Sequence, residues 1–495
     1  MSQAERPGAA TRWKAPTERL RDTDALIEAV LGGIGARDEI IEPLPTRRTR
    51  TKGSAPVPTR RQLLLSTAAM GMAGVGALAG CSGDAPAELE EGDSLRMRVW
   101  SESAATAYEE SLAAFTDSTG IEVDLEVLSW EDYWEQLPLD VASGDMPDVL
   151  WMNTANLAQA QASGMLLEIG ELLGDGTAHW ESAATDLYRL ESGLWGVPQV
   201  WEQSILVAHE GLVAAVEGDA SALSFDTEAS SDPLRELSHA LTVDGEGRRP
   251  DDEGFDPGSR RTFGFSAHPD RTAVLGPFIA AEGGSWQDED GTVTFASEEG
   301  IAAVQYLADL VSAHLAPDGE DAVEDPTLCR TLFLQGKLGL LQTGTYDLHT
   351  LAEEIDGAFE WGVHPVVAGP EGPRPLVHSI AALGVDPQDE EREKAIAELL
   401  SWLGGAEGQR PLAENRLGIP AHRDLRGAWE ESWEAAGVDV TVIEVPEAVA
   451  RPEVGERSAT ATGAAMPIIA EVFLGDTDAA EALPRAQQAA REAMG

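Results

Sequence analysis

Hydrophobic and polar positions alternate in two short segments near residue 100. Leu95, Met97 and Val99 are separated by arginines, and apolar residues at 121, 123, 125 and 127 are separated by acidic ones. Alternation with a period of two predicts strands that bury one face. Residues 148–152 are nearly all apolar and predict a third strand, buried on both faces.

Helical spacing separates these three segments. Tyr108, Leu112 and Phe115 recur at i, i+4 and i+7, and a Thr-Gly pair at 119–120 ends the pattern, so a helix is predicted there. Residues 130–139 predict a second helix. The order strand, helix, strand, helix, strand predicts parallel strands with helices packed on them.

The later part of the chain is richer in helical patterns. Ser297 precedes two glutamates and an apolar face that continues to Val311, which predicts a capped helix. Residues 395–403 carry a similar face, whereas residues 244–259 are polar and predict a surface loop. The chain beyond residue 80 is longer than one hydrophobic core usually supports, so two domains are predicted.

An apolar run from Leu63 to Gly80 lies near the N-terminus. It follows an Arg-Arg pair at 60–61 and ends in Leu-Ala-Gly-Cys at 78–81. A basic pair, a short apolar segment, small residues and a cysteine together form the pattern of a bacterial lipoprotein export signal. We therefore expect residues 1–80 to be a leader and signal that is removed, Cys81 to carry lipid, and residues 81–94 to form a polar tether.

Two points about this signal stay open at the level of sequence. The arginine pair suits both twin-arginine and general secretory export. Residues 1–58 are either a long cytoplasmic leader or lie before the true start of translation. An ordinary transmembrane helix is the alternative to the signal, and the short, Gly- and Ala-rich run that ends in Cys81 disfavours it.

Charge excludes several partners. Of 87 acidic and 34 basic residues, residues 1–80 hold eight and twelve, which leaves 79 acidic against 22 basic residues beyond them. Such a surface repels the phosphates of nucleic acid, so no nucleic-acid binding is predicted, and it disfavours lying flat on anionic lipid.

Cysteine and histidine usage predicts no cofactor. With Cys81 assigned to lipid, Cys329 remains alone, which leaves no disulfide and no cysteine-based metal site, and its helical surroundings predict a buried, inert thiol. The nine histidines are scattered singly, and neither G-x-S-x-G nor H-E-x-x-H occurs. Neither a metal ion nor another cofactor is therefore predicted.

Short motifs follow one another in a fixed order. They are G-D-M-P-D-V-L at 144–150, Q-A-S-G-M-L-L at 161–167, L-W-G-V-P at 194–198, F-L-Q-G-K-L-G-L at 333–340, G-T-Y at 344–346, and a closing set within 401–420. This order resembles that of extracellular solute-binding proteins of ABC importers, in the sugar-binding, maltose-binding-protein-like class, over nearly all of 95–495. The resemblance implies a periplasmic-binding-protein-like α/β fold, with two α/β lobes joined by hinge segments and a ligand cleft between them.

The resemblance also implies an organisation and a function. Lobe one would be 95–200 plus 366–425, and lobe two 203–363 plus 428–495. The protein would be a monomer that captures an extracellular carbohydrate, without catalysis, and delivers it to ABC permease subunits. It would sit on the extracellular face of the cytoplasmic membrane, held by lipid on Cys81. Two alternatives stay open: a secreted carbohydrate-active enzyme that uses two carboxylates, and a protein of the same fold with a non-sugar ligand.

Candidate ligand residues follow from what a sugar presents. Hydroxyl edges need carboxylates and amides, and apolar C–H faces need aromatic planes. Trp100 and Trp151 are expected at strand ends that face the cleft, although Trp151 also suits a core position. Polar residues after strand carboxyl ends, where α/β sheets place ligands, are Ser101, Glu102, Asn153, Thr154 and Asn156. A helix cap is the alternative role of Glu102.

Further candidates rest on the resemblance. Glu202 stands four residues after Pro198, where the family has a sugar-binding glutamate, and Trp201 precedes it. Tyr346 stands where the family often has a stacking tryptophan. From other segments, the resemblance adds Asp270 and Arg271 in a loop, and His378 and Ser379 near a family segment that enters the cleft. Departures at Met152, Ala155 and the Ala-His pair 208–209 mean that maltodextrin itself is not implied.

Overall fold

A nine-stranded mixed sheet runs through the chain. The computed structural model describes residues 93–190, 193–288, 290–455 and 457–495, without the side chains of Glu102, Ser103 and Asp175. The predicted leader, Cys81 and most of the tether lie outside the described residues. The strands are β1 Leu95–Val99, β2 Val123–Val127, β3 Val149–Asn153, β4 Arg189–Leu190, β5 Gly193–Leu194, β6 Val197–His209, β7 Phe263–Phe265, β8 Leu338–Gly344, β9 Trp361–His364, β10 Val377–Gly384 and β11 Ile419–Pro420.

Helices surround these strands. The α-helices are α1 Glu102–Thr119, α2 Trp130–Ser143, α3 Thr154–Ala162, α4 Gly170–Leu173, α5 Ser182–Thr185, α6 Glu210–Ala215, α7 Pro233–Leu241, α8 Gly276–Glu282, α9 Glu298–Ser312, α10 Gly319–Glu324, α11 Leu328–Leu334, α12 Leu348–Ile355, α13 Glu390–Gly404, α14 Ala406–Glu414, α15 Arg426–Ala435, α16 Ser458–Phe473 and α17 Ala479–Met494.

The predicted parallel strands are confirmed. β1 pairs with β2 over its whole length and with β3 at Met97 and Arg98, in parallel on both sides. Serine side chains start the two intervening helices: the backbone N–H of Ala104 donates to Ser101 Oγ at α1, and that of Asp132 donates to Ser129 Oγ at α2. These caps satisfy N–H groups that the first helical turn leaves without partners.

The aspartate of the G-D-M-P-D motif joins three distant segments. Asp148 accepts the backbone N–H of Arg96 at 2.7 Å, and both of its oxygens accept from the guanidinium of Arg392 in α13, at 2.6 and 2.8 Å. A bidentate pair of this kind fixes direction as well as distance. The motif therefore stabilises the packing of α13 against the edge of β1 and β3.

Strand β6 connects the two parts of the sheet. Residues 197–203 of β6 pair with β10, and residues 204–209 pair with β8 and β9. All thirteen residues of β6 are buried. One uninterrupted strand thus belongs to both halves of the sheet.

Hydrophobic residues form three large clusters along this sheet. One gathers residues between 95 and 200 with residues 381–412, a second gathers 206–316 with 461–490, and a third lies around the C-terminal half of β6 and α15. Val367 packs in the second cluster, although residues 366–425 were assigned to lobe one. The lobe boundaries remain a prediction, and this contact favours a later return to lobe one, at β10.

Two local predictions, for Cys329 and for the segment 244–259, have different outcomes. Cys329 lies in α11 and is buried, as predicted. The polar segment 244–259 is more ordered than a simple surface loop, because Asp244 is buried and accepts hydrogen bonds from the backbone N–H groups of Glu246, Arg248 and Asp256. These bonds lower the pKa of the Asp244 carboxyl against the opposing effect of desolvation.

Candidate functional site

A cavity of about 1090 Å³ opens beside the carboxyl ends of β1 and β3, where α/β sheets place ligands. Its lining combines aromatic, charged and small residues from the N-terminal strands, from β6 and β10, and from segments beyond residue 450. The lining residues are Trp100, Ser101, Trp130, Trp151, Asn153, Thr154, Ala155, Glu202, Asp270, Arg271, Thr272, Arg330, Tyr346, Leu376, His378, Ile380, Leu417, Pro452, Glu453, Ala459, Thr462 and Gly463.

Three tryptophans form one wall of this cavity. The ring of Trp100 lies 5.3 Å from that of Trp130 and 5.0 Å from that of Trp151, each edge to face. Trp134 and Tyr133 support the group from α2, with ring centroids 5.7 and 5.1 Å from that of Trp100. Edge-to-face pairs at these distances are favourable, so the wall is held in place without a ligand.

A chain of buried hydrogen bonds fixes Trp151. Its indole N–H donates to the hydroxyl of Tyr108 at 2.9 Å, and that hydroxyl donates to Gln199 Oε1 at 2.9 Å. Burial raises the pKa of Tyr108 far above its ordinary value, so the hydroxyl keeps its proton at any physiological pH. Trp151 is 1% exposed yet reaches the cavity, so its core position and its place in the lining are compatible.

Glu202 and His378 form a pair on the cavity floor. They are register partners on the antiparallel strands β6 and β10, and Nε2 of His378 lies 2.8 Å from Oε2 of Glu202. Because a carboxylate can only accept, Nε2 carries the proton of this contact. Glu202 is 5% exposed, and the histidine thereby supports a carboxylate that has left bulk water.

Tyr346 contributes an aromatic surface next to this pair. Its ring centroid lies 5.8 Å from that of His378. A Cβ atom on Gly344 would lie 2.0 Å from Cε1 of Tyr346, so only glycine lets the ring lie this close to the backbone of the G-T-Y motif. Desolvation, with the carboxylates of Asp270 and Asp347, raises the pKa of Tyr346 well above its ordinary value.

A second set of interacting polar side chains at the cavity consists of Arg271, Glu453 and Thr462. Nε of Arg271 lies 2.7 Å from Oε1 of Glu453, and Thr462 Oγ1 donates to the same carboxylate. Desolvation lowers the pKa of Arg271, and its guanidinium lies 5.3 Å from the ring centroid of Trp286. The pair holds Arg271 at the wall of the cavity.

Helix N-termini place the remaining polar side chains. Asn153 ends β3 and caps α3, and its Oδ1 accepts from the backbone and the side-chain nitrogens of Asn156 at 3.1 and 2.8 Å. Thr154 Oγ1 accepts from the backbone N–H of Ser379 at 3.3 Å. Asp270 ends the predicted loop, and its Oδ1 accepts from the backbone N–H of Ala273 at 2.6 Å and caps the helical turn that begins at Arg271.

The fold gathers eight of the twelve candidate ligand residues at the cavity: Ser101, Asn153, Thr154, Glu202, Asp270, Arg271, Tyr346 and His378. Trp201 and Ser379 do not reach it. Trp201 packs in the hydrophobic cluster around α15, and Ser379 Oγ is buried and donates to the backbone of Val200. Asn156 is turned toward its cap with Asn153 and does not line the cavity either. The side chain of Glu102 lies outside what the structure describes.

Other lining residues were not among the candidates named from the sequence. Trp130 is the first residue of α2, and its 54% exposed ring completes the tryptophan wall. Arg330 lies beside the cavity and donates to Asp347 Oδ1 at 2.9 Å. Glu453 and Thr462 come from a C-terminal segment without a motif. The one available clue to Trp130 was the abundance of tryptophan, since the chain has 13 Trp but only 5 Tyr and 10 Phe.

The arrangement suits a polar ligand with apolar faces. Aromatic planes line one side, and carboxylate, guanidinium, amide and hydroxyl groups converge from the others. Such groups can bind hydroxyls as donors and as acceptors while the rings cover C–H surfaces.

Among the described residues, no helix is long and apolar enough to cross a membrane.

Comparison with known proteins identifies a family. Residues 100–410 match the family model described as bacterial extracellular solute-binding protein. The crystal structure of M. tuberculosis UspC is 33% identical, with a TM-score of 0.69 over 81% of this chain and 100% of UspC.

Two further solved structures are similar at lower identity. The GacH receptor of Streptomyces glaucescens is 17% identical, with a TM-score of 0.66 over 81% of this chain and 98% of its own. The maltose/maltodextrin-binding domain MalE of Bdellovibrio bacteriovorus is 17% identical, with a TM-score of 0.62 over 81% and 99%. These similarities confirm the predicted periplasmic-binding-protein-like α/β fold. The chain belongs to the bacterial extracellular solute-binding proteins.

Proposed function

We propose that this protein binds a carbohydrate in the cavity and delivers it to an ABC permease without chemical change. The observation that carries the proposal is the tryptophan wall of Trp100, Trp130 and Trp151 in the same cavity as Glu202 and His378. A sugar ring needs both an aromatic plane and hydrogen-bonding groups at its edge.

The ligands of similar proteins support a carbohydrate. The structure of GacH includes a complex with acarbose, and that of the Bdellovibrio domain has bound maltotriose. A protein from Thermotoga lettingae with 16% identity has bound α-D-tagatose. The departures at Met152 and Ala155 favour a sugar other than maltodextrin for this chain.

The state of the cavity carboxylates favours binding over catalysis. Glu202 is held by His378, Asp270 caps a helical turn, and Glu453 is shared by Arg271 and Thr462. Each keeps accepting capacity for a ligand hydroxyl, while its position is fixed by protein contacts. Glycoside hydrolysis instead needs one carboxylic acid that protonates the leaving group and a second carboxylate opposite.

We further propose closure of two lobes around the ligand, with lobe one near 95–200 plus 377–425 and lobe two near 203–376 plus 428–495. A ligand that binds the closed form better shifts the population toward it. The closed surface would then be recognised by the permease, with the protein as a monomer held on the extracellular face of the membrane by lipid on Cys81.

The tryptophan wall provides the test of sugar binding. Titration of purified protein with a panel of mono- and oligosaccharides is expected to change tryptophan fluorescence in a saturable way and to raise the melting temperature. Chromatography of the same mixtures is expected to recover each sugar unchanged. Release of a new sugar would establish an enzyme instead, and saturable binding of only a peptide or polyamine would place a non-sugar ligand in the cavity.

The lipid anchor needs a separate experiment. In a bacterial host that processes lipoproteins, the wild-type protein is expected in the membrane fraction, with a lipidated N-terminal residue by mass spectrometry. Cys81→Ser is expected to abolish the lipid mass and prevent cleavage before residue 81. Equal membrane attachment of both forms, without lipid mass, would contradict the anchor and leave the sugar site unaffected.

A further inference from the structure

Two histidines that the sequence shows as isolated come together outside the cavity. A ring nitrogen of His179, a ring nitrogen of His422 and a carboxylate oxygen of Asp424 all lie within 4.8 Å of one another. The imidazole rings stack with their centroids 5.4 Å apart and their planes 3° from parallel. We propose that these three side chains form a binding site for a divalent transition-metal ion of the Zn²⁺ or Ni²⁺ type.

The backbone holds the two histidines side by side. His179 ends a 3-10 helix at Gly174–His179, and the next residue, Trp180, forms an antiparallel bridge with His422. The backbone N–H of Glu181 donates to the carbonyl oxygen of Ala421 at 2.7 Å. This bridge and the adjacent hydrogen bond hold the backbone segments of the two histidines side by side when no ion is bound, and a ligand site needs such preorganisation.

His422 supplies the second observation that points to a ligand. Its side chain is 5% exposed, and its Nδ1 is buried without a hydrogen-bond partner among the described residues. Its backbone N–H is engaged, with Gln409 Oε1 at 2.8 Å, so the position of the residue is fixed. A buried ring nitrogen without a partner costs free energy and is normally found paired.

The donor set decides the class of ion. Two imidazole nitrogens and one carboxylate oxygen suit Zn²⁺ and its neighbours in the first transition row, with water in a fourth position, whereas Mg²⁺ and Ca²⁺ prefer oxygen ligands alone. Tetrahedral bonds of roughly 2.0–2.1 Å place ligand atoms about 3.4 Å apart. His179 and Asp424 are exposed, so both side chains can rotate toward the fixed His422.

Local charges act in both directions, because Asp424 favours a bound cation and Arg423 opposes one. Arg423 lies between two of the ligands in sequence, but its guanidinium is directed to the backbone, where it donates to the carbonyl oxygen of Ala178. The chain as a whole carries a formal net charge of −53, which raises the concentration of cations near its surface.

The experiment is calorimetric titration of the purified protein, free of any histidine tag, with ZnCl₂ and NiCl₂. We expect saturable binding of one ion per chain, and no matching signal with MgCl₂ or CaCl₂. His179→Ala and Asp424→Asn change exposed residues, so both should keep the fold, and each is expected to weaken Zn²⁺ binding at least about ten-fold. His349→Ala is the matched control, because His349 contacts Glu353 on α12 away from this site.

Thermal unfolding adds a second readout. Zn²⁺ is expected to raise the melting temperature of the wild-type protein and of His349→Ala, and to raise that of His179→Ala much less. Zn²⁺ affinity of His179→Ala equal to that of wild type, or no saturable binding in folded wild-type protein, would overturn the site.

Discussion

Glu202 and His378 face each other across β6 and β10, with Nε2 of His378 2.8 Å from Oε2 of Glu202. The contact shows why a buried carboxylate is stable on the cavity floor: a hydrogen-bonded partner compensates for the loss of water. It also orients the carboxylate, so that the other oxygen can accept from a ligand.

Replacement of Glu202 tests its role as an acceptor. Glu202→Ala is expected to weaken sugar binding by about 1–3 kcal/mol, since a ligand hydroxyl would lose its partner. Calorimetric titration with the sugar found in the screen measures this change. Glu210→Ala is the matched control, because it removes a similar contact, 2.8 Å between Glu210 and His364, away from the cavity. Equal losses in both variants would refute a direct role for Glu202.

The exposed ring of Trp130 offers a test of the aromatic wall. Trp130→Ala is expected to weaken sugar binding by about 0.5–1.5 kcal/mol through loss of a stacking surface, with little effect on folding because the ring is 54% exposed. Leu139→Ala, on the same helix and 62% exposed, controls for general effects on α2. Fluorescence titration would contradict the prediction if Trp130→Ala kept the wild-type affinity.

Replacement of Gly344 by alanine tests the position of Tyr346 without removing the tyrosine ring. The added methyl group of Gly344→Ala would collide with the tyrosine, because a Cβ there lies 2.0 Å from Cε1. We expect the ring to turn away and sugar affinity to fall toward that of Tyr346→Ala, which loses the stacking surface outright. A combined variant should lose no more than Tyr346→Ala alone. Additive losses would show that Gly344 acts through something other than Tyr346.

Because of the buried ring of His209, we expect the protein to lose stability at acidic pH. Its ring is fully buried, and its Nδ1 accepts from the backbone N–H of Leu212 at 3.2 Å, which requires the neutral ring. Desolvation lowers the pKa of His209 to about 4, against an ordinary 6.5. Below pH 6.5 the unfolded chain therefore binds a proton at this histidine and the folded chain does not. The contribution of the neutral His209 ring to the free energy of unfolding is complete above pH 6.5 and is lost as the pH falls toward 4.

Urea unfolding at several pH values measures this loss. His209→Asn keeps a helix cap but cannot titrate, so the stability difference between wild type and variant is expected to shift by about 1–3 kcal/mol in favour of the variant between pH 7 and 4.5. A difference that stays constant over this range would contradict the prediction.

Sequence periodicity was sufficient for the N-terminal part of the fold. The alternation at Leu95, Met97 and Val99 and the helical spacing after it predicted the elements, because each pattern buries one apolar face. The helices between consecutive strands predicted the parallel order. The motif aspartate Asp148 could be recognised, but its contact with Arg392 could not be predicted. The two residues lie far apart along the chain, and sequence spacing does not reveal such a contact.

Strand geometry explains why two candidate residues, Trp201 and Ser379, do not line the cavity. Successive side chains of a strand point to opposite faces, so Trp201 cannot share the cavity with Glu202, nor Ser379 with His378. This rule was available from sequence once both pairs were placed on strands. Trp130 and Glu453 were not accessible in the same way, since their approach to the cavity depends on how distant segments pack.

Strand β6 constrains the proposed closure. Its thirteen residues form one strand that pairs with β10 in its first half and with β8 and β9 in its second half. Rotation of one proposed lobe against the other would therefore twist this hydrogen-bonded strand. The resistance of this strand to twisting would limit the amplitude of the motion. The same resistance would favour reopening of the closed form at the permease and release of the ligand.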